Sequence, residues 1–577
     1  MWRLIFIFDM YIQRNKSINK ATGKEYTSVL LCSKYREGQK VKTRTILNLS
    51  PLPDHLLLGF ENMLKSEGEV PVLLKDISIE SCIDYGYILV VLQIIKQLRI
   101  DEVLKKTLPE SDARLAIAML VGKIITGGSK LCIFNWLGRE PEVCKLLGIE
   151  INNIKVDHLY SSLGELWHHQ PQIEKKWFRY HQGARRCVYL YDLTSTYFEG
   201  THNAFAAYGY SRDGKRGKMQ MCVGLLTTEN GFPLRIQVFS GNTSDSATVA
   251  GQIRALKDEL CVEEIILVGD RGMHIVYNLE NDPELAEAEI SFITALTHAQ
   301  IQTLIEQGTL QLSLFSKDLA EVAVDDKRYI LSVNPDLEWK EQACLHNLRD
   351  RCDALIEEVR KAWAIRCAKN EKNRTKKQKN LKTELTTKDI KSYTRRVEQV
   401  IEKCGASKYY TVESIDNNLF TVSFNQEKFE ESRSLCGKYV VYTNVLAQKM
   451  NTAEVRGEYK KLQHVEHAFR DLKSDNISIR PVYHFKGNQT RGHVLLCMFA
   501  YAVIKALEDK LFPFLKVYNQ KHRTQLSFND LTAELNNIKM CVLKIGKGVT
   551  SIQYPQLNPL QKEITKLLNI DLIKMMK

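Results

Sequence analysis

Three carboxylates in this 577-residue chain, Asp192, Asp270 and Glu466, are of the type and setting that could build a metal-dependent phosphoryl-transfer site. Asp192 closes the apolar run RCVYLYD (186–192), and Asp270 closes EEIILVGD (263–270). Glu466 lies in GEYKKLQHVEHAFRDLKSDNISIRP (457–481). They are 78 and 196 residues apart, so only a fold can bring them together. Hard oxygen ligands of this kind suit Mg²⁺ or Mn²⁺. Two such ions about 3.5–4 Å apart can activate a nucleophilic oxygen and stabilise the leaving oxygen of an in-line transfer. One aspartate at a strand end is more often structural than catalytic; the joint pattern carries the inference.

Stepping by seven from Tyr459 to Glu466 to Lys473 keeps all three on one helix face, and Arg470, four after Glu466, joins it. The apolar positions Leu462, Val465, Phe469 and Leu472 follow the helix period, with no Gly or Pro between Gly457 and Pro481. A carboxylate between a phenol and two cations suits a helix that holds a divalent metal beside a phosphate. Taken alone, the helix is better read as a solvated face with an ordinary Glu/Arg pair. His464, Glu466 and His467 lack the HExxH spacing of zinc hydrolases.

The elements needed to position these groups can be read from texture. The order from 186 is strand (186–192), a hairpin of strands (219–228 and 232–240) around the turn ENG, helix (245–259), strand (263–270), helix, and strand (290–296). Asp270 is followed at once by Arg271. This layout resembles the ribonuclease-H-like fold, an α/β core with a mixed sheet flanked by helices. Residues 54–180 read mainly as helices: 54–66, 84–106, 112–126, 129–138, 156–169 and 171–181. Between two of them, TGGSK (126–130) has the look of a phosphate-facing turn but lacks the spacing of a nucleotide-binding loop. Residues 25–49 read as strands around REGQK.

Region 298–455 interrupts the core with short strands (309–314, 327–333, 407–413 and 418–424) and a long charged helical stretch, 337–402. Within that stretch, 369–382 has no apolar face and reads as an exposed basic arm. GKYVVYT (437–443) returns to strand, and 492–511 reads as a helix. Expected divisions are a β-rich module (1–53), a helical, DNA-binding region (54–181), the first part of the core (182–297) and an insertion domain (298–436). The second part of the core (437–511) and a tail (512–577) complete the chain.

Composition favours a polyanionic partner. The formal net charge is +13, and residues 351–400 hold 15 Lys and Arg against 7 Asp and Glu. The 14 cysteines form no CxxC pair, which speaks against a zinc ribbon or a thioredoxin-type site and for reduced thiols in the cytoplasm. The opening MWRLIFIFDMY is too short for a signal peptide, and Met10 offers an alternative start. ILVVLQIIKQL falls well short of the ~20 residues needed to span a bilayer and reads as a buried helix.

YDLTSTYFEG around Asp192, LVGDRGM around Asp270 and EYKKLQHVEHAFRDLKS around Glu466 together resemble the DDE transposases of bacterial insertion sequences. The resemblance is to the subgroup with a YREK signature around its glutamate. GYSRDGKRGKMQMCVGLL, PLRIQVFSGNTSD and IRPVYHFKGNQTRGH add to the resemblance, which is strongest over 186–510. The subgroup's arginine falls on Leu462, and Arg470 one turn beyond Glu466 is a substitute. The resemblance implies a ribonuclease-H-like core split by an insertion domain, with two Mg²⁺ or Mn²⁺ ions on Asp192, Asp270 and Glu466. It further implies Tyr459, Lys473, Arg470 and Arg271 at DNA phosphates, and cleavage at the element ends followed by transfer of the 3′-OH to target DNA. The implied partners are the terminal inverted repeats, target DNA and a second copy in a synaptic complex. No membrane is involved, and the setting is the bacterial cytoplasm at the nucleoid. Alternatives are a catalytically inactive DNA-binding remnant and a nuclease of the same fold without strand transfer.

Overall fold

The computed structural model describes the chain except residues 1–9, 19, 21–22, 38–39, 66–76, 182–187, 201, 277–278, 280–281, 283–289, 376–386, 416–418, 481, 546–548 and 577. The chain divides into two compact units, Met1–Val90 with His522–Lys577, and Val91–Lys521. This division differs from the boundaries expected at 53 and 181, because strand pairing ties the two chain ends into one unit.

In the first unit, β1 (Met10–Ile18), β2 (Glu25–Glu37) and β3 (Lys40–Asn48) form an antiparallel meander. Alternation along β2 turns Val29 and Leu31 inward, where they pack with Leu49 and with Leu57 of helix Asp54–Lys65. β3, bearing Lys40, Lys42 and Arg44, is exposed along its length. A second sheet has the order β16-β15-β4, from Val549–Gln553, Lys539–Ile545 and Ile77–Asp84. The tail therefore supplies two of these three strands, and β4 interrupts a region expected to be helical.

The second unit is built on an eight-stranded sheet. Its five core strands are β5 (Val188–Tyr197), β6 (Gln220–Thr228), β7 (Pro233–Ser240), β8 (Ile266–Gly269) and β9 (Ser291–Ala295), arranged β9-β8-β5-β6-β7. β5 pairs antiparallel with β6 and parallel with β8, and β8 pairs parallel with β9. This mixed order is consistent with a ribonuclease-H-like domain. β6 is buried through eight of its nine residues, as expected of a strand covered on both faces. Helix Ser246–Arg254 contributes Val249 and Ile253 to the core on one side. Helix Gln170–His181 seats Trp177 at β7, its indole N–H donating to Pro233 O at 2.9 Å.

Three expectations are corrected here. First, β5 does not end at Asp192: the β-branched and aromatic run after it continues the ladder to Tyr197. Second, β10 (Leu319–Val324) and β11 (Lys327–Val333) do not belong to a separate insertion. They extend the central sheet through β14 (Lys438–Thr443), which pairs with β9. What stands apart is a helical pair, Pro335–Thr375 and Thr387–Cys404, with the hairpin of β12 (Tyr410–Ile415) and β13 (Leu419–Phe424). These share their own core, including Cys352, Ile356, Val397, Ile401, Tyr410 and Phe429.

Third, the single helix expected through 457–473 is two, Thr452–Lys460 and Leu462–Lys473. At the junction the hydrogen bonding tightens to i→i+3, with Lys461 N donating to Glu458 O (3.1 Å) and His464 N to Lys461 O (2.8 Å). Lys461 Nζ also lies 2.9 Å from both Glu458 and Glu229, which anchors the break to the turn after β6. Likewise, the helix expected over 84–106 divides at Arg99 (φ 58°) into Gly86–Gln97 and Ile100–Lys105. Among the described residues no single helix is long and apolar enough to cross a membrane.

Candidate active site

The parallel ladder between β5 and β8 sets the centre of the site. Its last pair is Tyr191 with Gly269, so Asp192 and Asp270 follow side by side, about one strand spacing (~4.8 Å) apart. Asp192 sits within β5 as a partly exposed position between fully buried neighbours. Asp270 leaves the end of β8, exposed, and its carboxylate accepts from Arg271 N at 2.8 Å. Burial pushes the Asp192 carboxyl up to about 7, and the charges of Asp270 and Asp245 push the same way. The Leu193 N–H and the Arg212 guanidinium oppose them.

Arg212, whose charge acts on Asp192, is fixed by contacts on several sides. Its backbone N–H donates to Ser195 Oγ (2.9 Å), Nη1 to Leu193 O (2.7 Å) and Nη2 to Asp245 Oδ2 (2.6 Å). The next residue, Asp213, is half-buried with its carboxylate turned inward, and its Oδ1 lies 2.8 Å from both Lys473 Nζ and Arg480 Nη1. In the sequence Arg212 and Asp213 carry no sign of a role, and Asp245 looks only like a helix start. Asp245 makes no side-chain cap; its carboxylate serves Arg212 instead.

The two helices from 452 to 473 lie across this face of the sheet. Helix Thr452–Lys460 packs on β8, β9 and β14, and helix Leu462–Lys473 packs on β5. Tyr459 reaches Asp270, its hydroxyl 3.5 Å from Oδ1, at the outer limit of a hydrogen bond. Burial, then the Asp270 charge, raises the Tyr459 hydroxyl's pKa, so it is a neutral donor. At the other end Lys473 Nζ donates to Thr194 Oγ1 (2.7 Å), Ser195 O (2.8 Å) and Asp213 Oδ1 (2.8 Å). Burial lowers the Lys473 pKa, and the hydrogen bond to Asp213 resists. Thr194 is two residues beyond Asp192 on β5 and so shares its face.

Glu466 lies midway between these two anchors, seven residues from each. It is exposed, as are Arg470 and Arg271, while Leu462 is half-buried. Asp192 and Asp270 are thus brought together, whereas Glu466 has not closed on them. Among the described residues no three His, Cys, Asp or Glu side chains form a group that could hold a metal. The donor chemistry still fits a divalent cation. A half-buried carboxyl beside a second carboxylate, raised to about 7 chiefly by burial with Arg212 opposing, is the environment such an ion relieves.

Comparison with known families identifies two domains along the chain. Residues 183–503, more than half the chain and the span that holds Asp192, Asp270 and Glu466, match the transposase DDE domain. Residues 15–70 match the N-terminal domain of IS1634 family transposases. No curated protein matches the chain. With both a DDE domain and an insertion-sequence N-terminal domain matched in order along it, the chain belongs to the DDE transposases of insertion sequences.

Proposed function

We propose that this protein binds the ends of its element, cuts DNA there and joins the freed 3′-OH to target DNA, with Asp192, Asp270 and Glu466 holding Mg²⁺ or Mn²⁺. The observation that carries this is the adjacency of Asp192 and Asp270 at the β5–β8 pair, overlaid by helices anchored at Tyr459 and Lys473. When bound, two such ions activate the attacking oxygen and stabilise the leaving one. The chain's own residues do the positioning. Asp192 is held rigidly within the sheet, and Asp270 is oriented by the Arg271 N–H. Glu466, exposed on its helix, would supply the third carboxylate to the ions.

Arg470 and Arg271, both exposed, are available to substrate phosphates, and Tyr459 presents a neutral hydroxyl beside Asp270. Lys473 meets a phosphate only by giving up Asp213. The reading brings with it terminal inverted repeats and target DNA as partners, a homodimer in the synaptic complex, and action in the cytoplasm at the nucleoid. The net charge of +13 supports a DNA partner.

The deciding assay supplies purified protein with element-end DNA, a target plasmid and Mg²⁺. Joined strands in the target support transposition. Nicks without joined product assign a nuclease of the same fold, and binding without either assigns an inactive remnant.

A further inference from the structure

A cavity of about 710 Å³ opens between the TGGSK turn and the segment 475–489, and the reaction proposed above does not use it. Its wall is cationic from within. Lys123 and Lys130 both line it and are 3% and 2% exposed, so both ammonium groups are nearly removed from water. Lys123 Nζ donates to the carbonyls of Gly127 (3.1 Å), Gly128 (3.1 Å) and Ser478 (3.4 Å). Lys130 Nζ meets His493 Nδ1 at 2.8 Å, and burial followed by the Lys130 charge holds that imidazole neutral. Among the described residues no carboxylate forms an ion pair with either lysine, and Asp157 and Asp475, the acids of the wall, are exposed. Burial lowers the pKa of both lysines, that of Lys130 to about 7, so an anion that restored their charge would be favoured in this wall.

The surrounding structure is shaped to that end. Gly127 has a φ of +63°, and a Cβ there would stand 2.6 Å from Asp475 O, so the turn presses against the opposite wall. Ser129 caps helix Lys130–Arg139, accepting from Cys132 N at 3.2 Å, which brings the positive end of that helix to the cavity. Tyr483 and Phe485, also of the wall, are 66% and 69% exposed. Open aromatic rings beside buried cations are the two halves of a single-strand site, with phosphates on the charges and bases on the rings. Arg480 links the cavity to the catalytic face, since the Asp213 oxygen it pairs with also holds Lys473.

We propose that this cavity receives a backbone phosphate of a single-stranded DNA segment extending from the catalytic aspartates, with its bases against Tyr483 and Phe485. The identity of the strand rests on the transposase reading; the anion site does not.

The test uses the full chain in metal-free buffer and a short fluorescein-labelled oligothymidylate, with binding read by anisotropy across a salt series. Lys486 is an exposed cation of the same wall, at the mouth through which the phosphate enters, and combining Lys486→Gln with Tyr483→Ala should weaken binding about tenfold. It should also make the log–log salt slope shallower by about 0.7 for the lost phosphate contact. Lys130→Met should weaken binding further, with its fold checked by thermal melting; if it does not fold, the surface pair still decides. Unchanged affinity and slope in the surface pair overturn the proposal. Thymidine monophosphate distinguishes the two sources of a phosphate. Failure to displace the oligonucleotide at matched concentration supports a strand, and displacement assigns a free nucleotide and overturns it. No cleavage is read, so a failure of the catalytic assignment leaves this result intact.

Discussion

Replacing Asp192 by Asn should stabilise the metal-free protein at neutral pH while abolishing cleavage, and both effects come from one buried charge. The carboxyl has been moved from its ordinary value of 3.8 up to about 7, chiefly by burial within β5. Between those two values the folded chain binds a proton that the unfolded chain has lost. Stability contributed by this group therefore falls as pH rises from about 4 to about 7, and the full penalty persists above that. The span corresponds to a ceiling of ~4 kcal/mol, and relaxation around the site reduces the expected gain in Asp192→Asn to about 1–3 kcal/mol at pH 8. At pH 4 the gain should vanish, because the native aspartic acid is then neutral as well. The assay is the difference in thermal midpoint between variant and native protein from pH 4 to 8, since two compact units make a single two-state free energy unsafe. Added Mg²⁺ should raise the native midpoint and not the variant's. A midpoint difference independent of pH, or a variant less stable at pH 8, would refute the reasoning that burial holds Asp192 against its charge.

Lys473→Met breaks a part-buried ion pair and leaves Asp213 to Arg480 alone; a lower thermal midpoint is expected, along with weaker DNA binding. In Gly492→Ala the added Cβ collides with Leu163 O where helix Gly487–His522 crosses helix Val156–His168, and a cost of about 1–3 kcal/mol should lower the thermal midpoint. Lys376, Lys377 and Lys379 lie outside the described residues; neutralising all three should flatten the salt dependence of duplex-DNA affinity, and an unchanged slope would make the stretch a solvated linker.

Asp270 was readable from sequence because its apolar run is a buried parallel strand that stops at Asp-Arg-Gly, where chain direction and composition change together. Asp192 was readable as a residue but not as a position. The strand signal in TSTY continued past it, and an aspartate inside a buried strand breaks the local pattern, as the proposed metal role would require. The heptad of Tyr459, Glu466 and Lys473 predicted one face, and the break at Lys461 was invisible because no Gly or Pro marks it; the anchors are Glu458 and Glu229, the latter 232 residues away. Arg212, Asp213, Asp245 and Arg480 had no local signature either, since each acquires its role from partners on other elements. The placement of β10 and β11 in the main sheet depends on the pairing of β11 with β14, more than a hundred residues on, which period and propensity do not encode.

The central claim is that Asp192 and Asp270 are metal ligands of a strand-transfer site. Its most direct test compares purified native protein with Asp192→Asn on labelled element-end DNA in Mg²⁺, measuring binding and cleavage on the same samples. Binding should persist, because the change removes negative charge from a site that must receive phosphate. Cleavage should fall at least a thousandfold, the equivalent of ~4 kcal/mol of lost transition-state stabilisation. If Asp192→Asn cuts at close to the native rate, Asp192 is a structural residue of β5 and the proposed mechanism is wrong.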